Sequence, residues 1–455
     1  PLPVYELKNI IVTGELWPSE LERTTASISV LDEAALDNNG TRHFEDIVNA
    51  IPNLTWTGGT SRPRYLQIRG IGENSQFEGE TPDSSVRFLL DDFDLTGLGT
   101  VGSLFDVQQV EVLRGPQAGA FGANAAGGVV KIVSNEPTSY WTGQTEATIG
   151  NDSHYALGLA VGGPLIESDP EALTFRFSIN QLYRDGFREN RFLGVDDSNE
   201  RDELSGCLRL RWLPNDHWRL EGGILYADAD NGYDEFTLNN DDTATFSDEP
   251  GRDEQETNGV SLKGSYLGLE AVEITSTTQY TDTDSLYSFD SDWGAGFAAP
   301  DPFQSGYSGF LQTTREREVF SEELRFDSKQ RTDALGPIDR WTLGSFYHTL
   351  EEESQINYFD RDFFDDAEAI STYETDTLAL FGQVAHDLNE STRLILGLRY
   401  ERHEVYFASL TTDNADLDFD TVPDLLPSGR DEVAEDLWGG TLTLERDLAA
   451  THTAF

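Results

Sequence analysis

From about Ser139 onward the chain repeats with a period of two. Leu173, Phe175, Phe177 and Ile179 fall on one side of a segment, and Arg176, Ser178 and Asn180 on the other. Leu204, Leu208, Leu210 and Trp212 oppose Cys207, Arg209 and Arg211. Leu394, Leu396, Leu398 and Tyr400 oppose Arg393, Arg399 and Glu401. Strict alternation predicts β-strands with one apolar face. Short turns at 163–170, 214–217, 267–270, 388–391 and 448–451, with an intermediate one at 330–339, alternate with long polar connections. The long ones are 184–202, 228–257, 288–314, 354–372 and 408–432. Short turns on one side and long loops on the other predict an antiparallel transmembrane barrel with its apolar face in lipid. Trp141, Trp218, Trp341, Tyr347 and Tyr400 sit near strand ends, as interfacial girdles require. The pattern gives about twelve strands, with another beginning at Thr453–Phe455. A soluble sandwich or propeller is the alternative, but such folds seldom repeat long hairpins with a one-sided loop bias.

Residues 1–138 read differently. Short strand-like runs occur at 10–13, 27–31, 65–69, 86–90, 107–113 and 129–134. A helix is predicted over Thr41–Ala50, with Phe44, Ile47 and Val48 at helical spacing, Thr41 as cap and Pro52 as stop. The fold class is therefore mainly β: an N-terminal α+β domain (1–138) followed by an antiparallel barrel segment (139–455).

Composition narrows the function. Hydrophobic residues are 37% of the 455 and charged residues 25%. No apolar run is long enough for a transmembrane helix, which leaves a barrel untouched because its lipid face is hidden in alternation. The net charge of −52, from 31 basic and 83 acidic residues, argues against a nucleic-acid partner, since phosphate binding needs Lys and Arg. The single cysteine, Cys207, permits no internal disulfide and no cysteine-based zinc cluster. The chain starts at Pro1 without a visible leader, and is expected to be a processed product or a fragment.

Nothing points to catalysis. The seven histidines are scattered and none forms a His-Glu-x-x-His pair. There is no Gly-x-Ser-x-Gly elbow. The glycine-rich stretch 115–128 lacks the Gly-Lys-Ser/Thr end of a phosphate loop and reads as tight turns. No catalytic residue, resident cofactor or metal is assigned. Between Ala229 and Thr257 ten carboxylates face Arg252 alone. This stretch reads first as a solvated loop. Divalent-cation binding is a second reading, although no EF-hand spacing is present. A negative vestibule is a third; it would favour neutral or cationic ligands over a strongly anionic ferric catecholate.

The first domain carries Ile10-Ile11-Val12-Thr13-Gly14, Ile68-Arg69-Gly70-Ile71, Val110-Glu111-Val112-Leu113-Arg114-Gly115-Pro116-Gln117 and Phe121-Gly122-Ala123-Asn124-Ala125-Ala126-Gly127-Gly128-Val129. In this order and spacing it resembles the plug domain of TonB-dependent outer-membrane receptors. Ser321–Phe326, Leu380–Val384 and Leu396–Tyr400 are similar to pieces of that family's barrel. The resemblance implies a plug inside a barrel of about twenty-two strands, of which the chain is expected to supply about twelve. A complete twelve-stranded barrel with an extruded plug is the weaker reading.

The resemblance further implies an active transporter of the Gram-negative outer membrane, importing a scarce nutrient. A ferric siderophore is the first expectation, a carbohydrate or other nutrient the second, and a passive porin or adhesion barrel the competitor from another class. The implied partners are the periplasmic TonB energy-coupling protein, outer-membrane lipid and lipopolysaccharide, and a small-molecule ligand, around a monomer. Ile10, Ile11, Val12 and Thr13 form a TonB-box-like strip able to add to a sheet edge; the plain alternative is the plug's first strand. Arg69 and Arg114 are expected to pair with barrel-wall Glu323, and Trp56, Arg62, Gln76, Phe77 and Leu98 to meet ligand at the plug apices.

Overall fold

The computed structural model describes residues 10–13, 16–21, 24, 26–57, 62, 64–73, 83–98, 103–116, 125–234, 236–239, 243–300, 304–329, 338–360, 365–413, 428–449 and 452–454. The first domain comprises β1 (Ile11–Val12), β2 (Ser19–Glu20), β3 (Ser27–Asp32), α1 (Glu33–Asn39), α2 (Phe44–Ala50), β4 (Leu54–Thr57), β5 (Tyr65–Ile68), β6 (Val86–Leu90), β7 (Phe93–Asp94), β8 (Val107–Arg114) and β9 (Gly128–Ser134). A five-stranded sheet runs in the order β3-β8-β9-β6-β7, with β6 and β9 parallel. The pairs β1–β2 and β4–β5 stand beside it. Leu36 of α1 and Phe44 and Ile47 of α2 pack with Phe88, Val110, Val112 and Val130 of the sheet into one buried cluster.

Local chemistry sets the helix ends. Asp32 caps α1 by accepting from Ala35 N at 2.9 Å, and Gly40 closes it in a left-handed conformation. Helix α2 begins later than the predicted Thr41 cap. His43 is the N-cap residue, its Nδ1 accepting from Glu45 N at 3.3 Å. The Asp46 carboxylate accepts from His43 N at 3.1 Å, completing a capping box that leaves Thr41 outside the helix.

The remainder forms the wall. Its strands are β10 (Thr142–Ile149), β11 (Tyr155–Pro164), β12 (Leu173–Arg184), β15 (Arg201–Asn215), β16 (Trp218–Tyr233), β18 (Gly251–Tyr266), β19 (Val272–Asp290), β20 (Gly309–Ser328), β21 (Arg340–Asp360), β22 (Asp365–Asn389), β23 (Thr392–Asp413), β24 (Gly429–Ala449) and β25 (His452–Ala454). They make one 13-stranded sheet in chain order, each strand antiparallel to the next. The long connections contribute a small sheet of β13 (Arg188–Asn190), β14 (Val195–Ser198) and β17 (Ala244–Thr245).

The alternation sorts the two wall faces. Val260 and Leu262 are 53% and 60% exposed on the outer face, whereas inward-facing Thr257 and Gln255 are buried. Trp141 and Trp218 are exposed beside the starts of β10 and β16, whereas Tyr347, Tyr400 and Trp438 stand well inside β21, β23 and β24, because those strands run longer than predicted. The long polar connections prove shorter than predicted, because the strands run on through them. β21 runs to Asp360 and β22 begins at Asp365, where 354–372 reads as a loop. Past the apolar band neither face needs hydrophobic side chains, so the sequence pattern fades while backbone pairing continues.

One turn explains the Gly-Gly-Val motif. Gly128 has φ +141°, and a Cβ there would lie 2.3 Å from the Leu113 carbonyl oxygen across the β8–β9 pairing. Gly128→Ala is expected to destabilise the first domain by at least ~1–3 kcal/mol from backbone strain. Gly70 has φ +77° and open space where a Cβ would sit, with no atom within 4 Å, and should tolerate alanine better. Protease cleavage of this domain in the detergent-purified protein reads the difference: G128A should be cut markedly faster than G70A.

Candidate functional site at the interface of the inner domain and the wall

The wall's inward side chains meet the first domain, and that contact is the chemically densest part of the molecule. At the short-turn rim, Trp17 Nε1 donates to Thr342 Oγ1 at 2.7 Å, and Arg340 stacks over the Trp17 ring at 4.5 Å. Arg209 Nη1 donates to the Ser134 carbonyl at 3.1 Å, and Arg211 pairs with Glu136 at 3.0 Å. Arg176 forks onto Asp106, its Nε donating to Oδ2 at 2.8 Å. At the long-loop rim, Arg62 makes a two-pronged pair with Asp253 at 2.9 and 3.1 Å, both side chains 3% exposed. His43 Nε2 lies 3.1 Å from Glu203, and Arg201 pairs with Glu45 at 2.7 Å.

Between the rims lies a buried charge cluster. Arg87 pairs with Asp83 at 2.8 Å, and Asp94 lies 3.7 Å from Arg87 and 3.6 Å from His348 of the wall. Arg317, held by Glu352, donates from Nη1 to the Thr96 carbonyl at 2.7 Å. Burial would raise the Asp94 carboxyl, but Arg87 and His348 outweigh it and hold the group far below the usual carboxylate range. Two aromatic rings complete the contact. Phe105 fills the space beside wall Gly158, where a Cβ would come within 2.6 Å of the ring, and Phe93 does the same at Gly259, at 3.0 Å.

The expected pairing of Arg69 and Arg114 with Glu323 is corrected. Both arginines bond inside their own domain: Arg69 donates to Ser27 Oγ at 2.8 Å, and Arg114 to Ser29 Oγ at 2.7 Å. They stand close enough that burial and the Arg69 charge lower the Arg114 guanidinium. Glu323 does face inward, as its alternation requires, but its ion pair is with Arg325 at 3.7 Å. Both line a 310 Å³ cavity with Arg87, Asp91, Lys131 and Lys263. The arginines that bridge to the wall mostly belong to the wall itself, Arg176, Arg201, Arg209 and Arg211, with Arg62 the chief exception.

Among the apex residues, Arg62 is buried against Asp253, and Trp56 packs half-buried on the inner core. Leu98 is 6% exposed and packs within that core. Gln76 and Phe77 lie outside the described residues. In the TonB-box-like strip, Ile11 and Val12 pair with Glu20 and Ser19. Val12 is fully buried, the Ile10 carbonyl accepts from Leu21 N, and Thr13 N donates to Glu111 at 2.8 Å.

The sequence reading missed an aromatic crown at the outer strand ends. Tyr233, Tyr287, Phe289 and Tyr358 form a buried cluster, and Phe236 and Trp293 stack above it at 5.3 Å. The alternating Tyr287-x-Phe289 was its one sequence signal.

With this geometry in view, comparison with known proteins gives its class. Residues 20–129 match the TonB-dependent Receptor Plug Domain. The match lies within the inner domain. The chain is 25% identical over 273 residues to the iron-regulated outer membrane virulence protein of Vibrio cholerae serotype O1, covering 58% of this chain and 40% of that protein. It is 26% identical over 214 residues to the pesticin receptor of Yersinia pestis, covering 46% and 31%. The chain thus spans well under half the length of these curated relatives. In fold it is similar to the ferric yersiniabactin uptake receptor FyuA from Yersinia pestis, with TM-score 0.77 at 18% identity over 94% of this chain and 63% of that one. The siderophore receptor PiuA from Acinetobacter baumannii gives 0.71 at 15% identity, over 95% and 64%. Three of these four are named as receptors.

Two outcomes follow from the interface. Removing one partner of the buried Arg62–Asp253 pair should cost ~3–5 kcal/mol locally, while replacing both with apolar residues should recover much of it. Amide exchange around residue 62 in R62A, D253A and R62M/D253L measures that coupling. Because Asp94 is lowered in the folded protein, its contribution is full above the ordinary carboxylate pKa of ~3.9 and is lost only as pH falls far below it. Plug protection in Asp94→Asn should be weaker than in the parent at neutral pH, and the two should converge in strong acid.

Proposed function

We propose that the protein is an outer-membrane receptor that binds a scarce nutrient at its long-loop face and admits it past the plug using energy from TonB. The observation that carries this reading is a separately folded domain held inside a membrane-type wall by polar links at both rims. A porin needs no such domain, and an adhesion barrel needs no links that can be exchanged for water. The cargo we assign is a ferric siderophore. Supporting it, the similar proteins include one named as iron-regulated and structures named as a ferric yersiniabactin uptake receptor and a siderophore receptor. A vitamin B12 transporter from Photobacterium profundum is also similar, at 24% identity, so another scarce nutrient is the second reading.

In this reading the protein acts as a monomer in the lipopolysaccharide-bearing membrane of a Gram-negative cell. The strip at Ile10–Thr13 offers TonB an edge at the short-turn rim. To serve, it would leave β2, freeing the exposed side of Ile11 and the N–H groups needed for strand addition. The crowd of carboxylates on the outer connections favours a neutral or cationic chelate.

The test is uptake of radiolabelled ferric chelates, with a glycan and cobalamin as comparators, by cells carrying the complete gene or its deletion. The proposal expects iron-limited growth and iron uptake to fall at least tenfold on deletion of the gene, and equally on loss of TonB. Ile11→Pro should abolish uptake while ligand binding persists. Iron uptake that survives loss of TonB would overturn the transport mechanism, and cargo transport restricted to a glycan or cobalamin would overturn the siderophore assignment.

A further inference from the structure

A second concentration of buried charge lies at the outer crown, away from the plug. Asp290 ends β19, Asp292 follows it toward β20, and Asp248 lies between β16 and β18. One side-chain oxygen of each lies within 4.8 Å of the other two. Asp290 and Asp292 are 6% and 3% exposed.

The Asp292 carboxylate is built into the loop. Its Oδ1 accepts from Gly309 N at 3.1 Å, and its Oδ2 from Gly296 N at 3.1 Å and from the Ser305 hydroxyl. Asp290 Oδ1 accepts from the N–H groups of Asp292 and Trp293 at 3.1 and 3.0 Å. Asp290 Oδ2 is different: it is buried and has no hydrogen-bond partner. The Ser247 hydroxyl approaches this carboxyl without closing a bond to Oδ2. Among the described residues no Lys, Arg or His pairs with Asp290 or Asp292.

Buried carboxylates without a counter-charge must share either a proton or a cation. The Asp290 oxygen without a donor, within a group of three carboxylates, offers a cation a ready ligand. The donors are all oxygen and are held on two loops and a strand end, the preference of a hard ion with a pliable shell. Calcium–oxygen distances of about 2.3–2.6 Å allow two ligand oxygens to stand up to about 5 Å apart, and the three here lie within 4.8 Å of one another. Magnesium demands a tighter octahedron that retains several waters, and zinc prefers nitrogen and sulfur.

We propose that Asp248, Asp290 and Asp292 bind one calcium ion that pins the 234–250 connection to the 291–308 connection. The backbone already joins them at one point, where Asp248 N donates to the Gly294 carbonyl at 2.9 Å. The ion adds a cross-link between two loops of the outer face.

The test uses the detergent-purified chain, stripped with chelator and titrated with terbium. Trp293, whose backbone N–H donates to Asp290, serves as the sensitiser. Saturable terbium luminescence displaced by calcium at concentrations at least tenfold below those needed for magnesium is expected. Calorimetry with calcium should give one tight site per chain. Asp290→Asn keeps the Oδ1 acceptor and removes the charge, and should weaken calcium at least tenfold. Asp248→Asn should do the same without touching the clamp made by Asp292. Asp230→Asn, an exposed carboxylate on β16, should leave the affinity unchanged. Calcium should raise the melting temperature of the parent and not of D290N or D248N. Absence of a saturable signal in the folded parent, or parental affinity in both variants, would overturn the site and leave Asp290 and Asp292 sharing a proton. Equal loss in D230N would overturn it in favour of diffuse attraction to the acidic loops.

Discussion

A strand with one face in lipid has no choice about its other face. Every second side chain points into the lumen, and whatever fills the lumen must match those side chains. In β12 and β15, Phe175, Phe177, Leu208 and Leu210 take the outer positions, which sends Arg176, Arg209 and Arg211 inward. Each of these arginines finds an acid or a carbonyl of the inner domain. Charge matching across the lumen is thus a direct consequence of the period of two, and it fixes the rotation and depth of the plug within the wall. Apolar contact could not do this as well, because it has no direction.

The plug does not need the wall for its own core. The main buried cluster draws on α1, α2 and the five-stranded sheet, and the wall adds only Leu225 and Ala227. Phe93 and Phe105 are seated where the wall carries glycine, so each ring comes close to the wall backbone. The division has a mechanical meaning. Folding energy resides within the domain and docking energy in polar links between domain and wall. In the proposed transport reading, the plug would shift against the wall by exchanging those links for water, with its hydrophobic core left intact.

The strands were legible because alternation is a local property of the chain. The short turns and the final strand at 452–454 were legible for the same reason. Helix α1 was not, since seven residues carry too few apolar positions to display a period; only Asp32 and Gly40 marked its ends. Partner choice was not legible either. Arg69 and Arg114 stand in conspicuous motifs, yet Arg69 adopts φ +56° in a tight turn that keeps its side chain against Ser27. Which inward charge meets which depends on wall register and plug rotation, and neither is written into any one segment. The Asp248, Asp290 and Asp292 cluster shows the same limit: the acidity of 228–257 was plain, but two of the three residues come from the neighbouring connection.

The two rims differ in a way that bears on how the plug would move. At the short-turn rim the N-terminal segment is held by Gln109 on the Ile11 carbonyl, Thr13 on Glu111 and Trp17 on Thr342, all neutral or singly charged hydrogen bonds. Such bonds contribute roughly 0.5–3 kcal/mol each, and the first two are only partly buried. At the long-loop rim Arg62 and Asp253 are both almost wholly buried and doubly bonded, and breaking them strands two charges. In the proposed transport reading, a pull on the N-terminal segment would load these hydrogen bonds, the buried Val12 and the Arg340–Trp17 stack before it reached the Arg62 pair. Rupture ordered this way would open a path from the short-turn side while the outer face stayed closed. The 310 Å³ cavity beside Thr13 and Leu16, lined by ionic groups of both partners, lies where that loosening would begin.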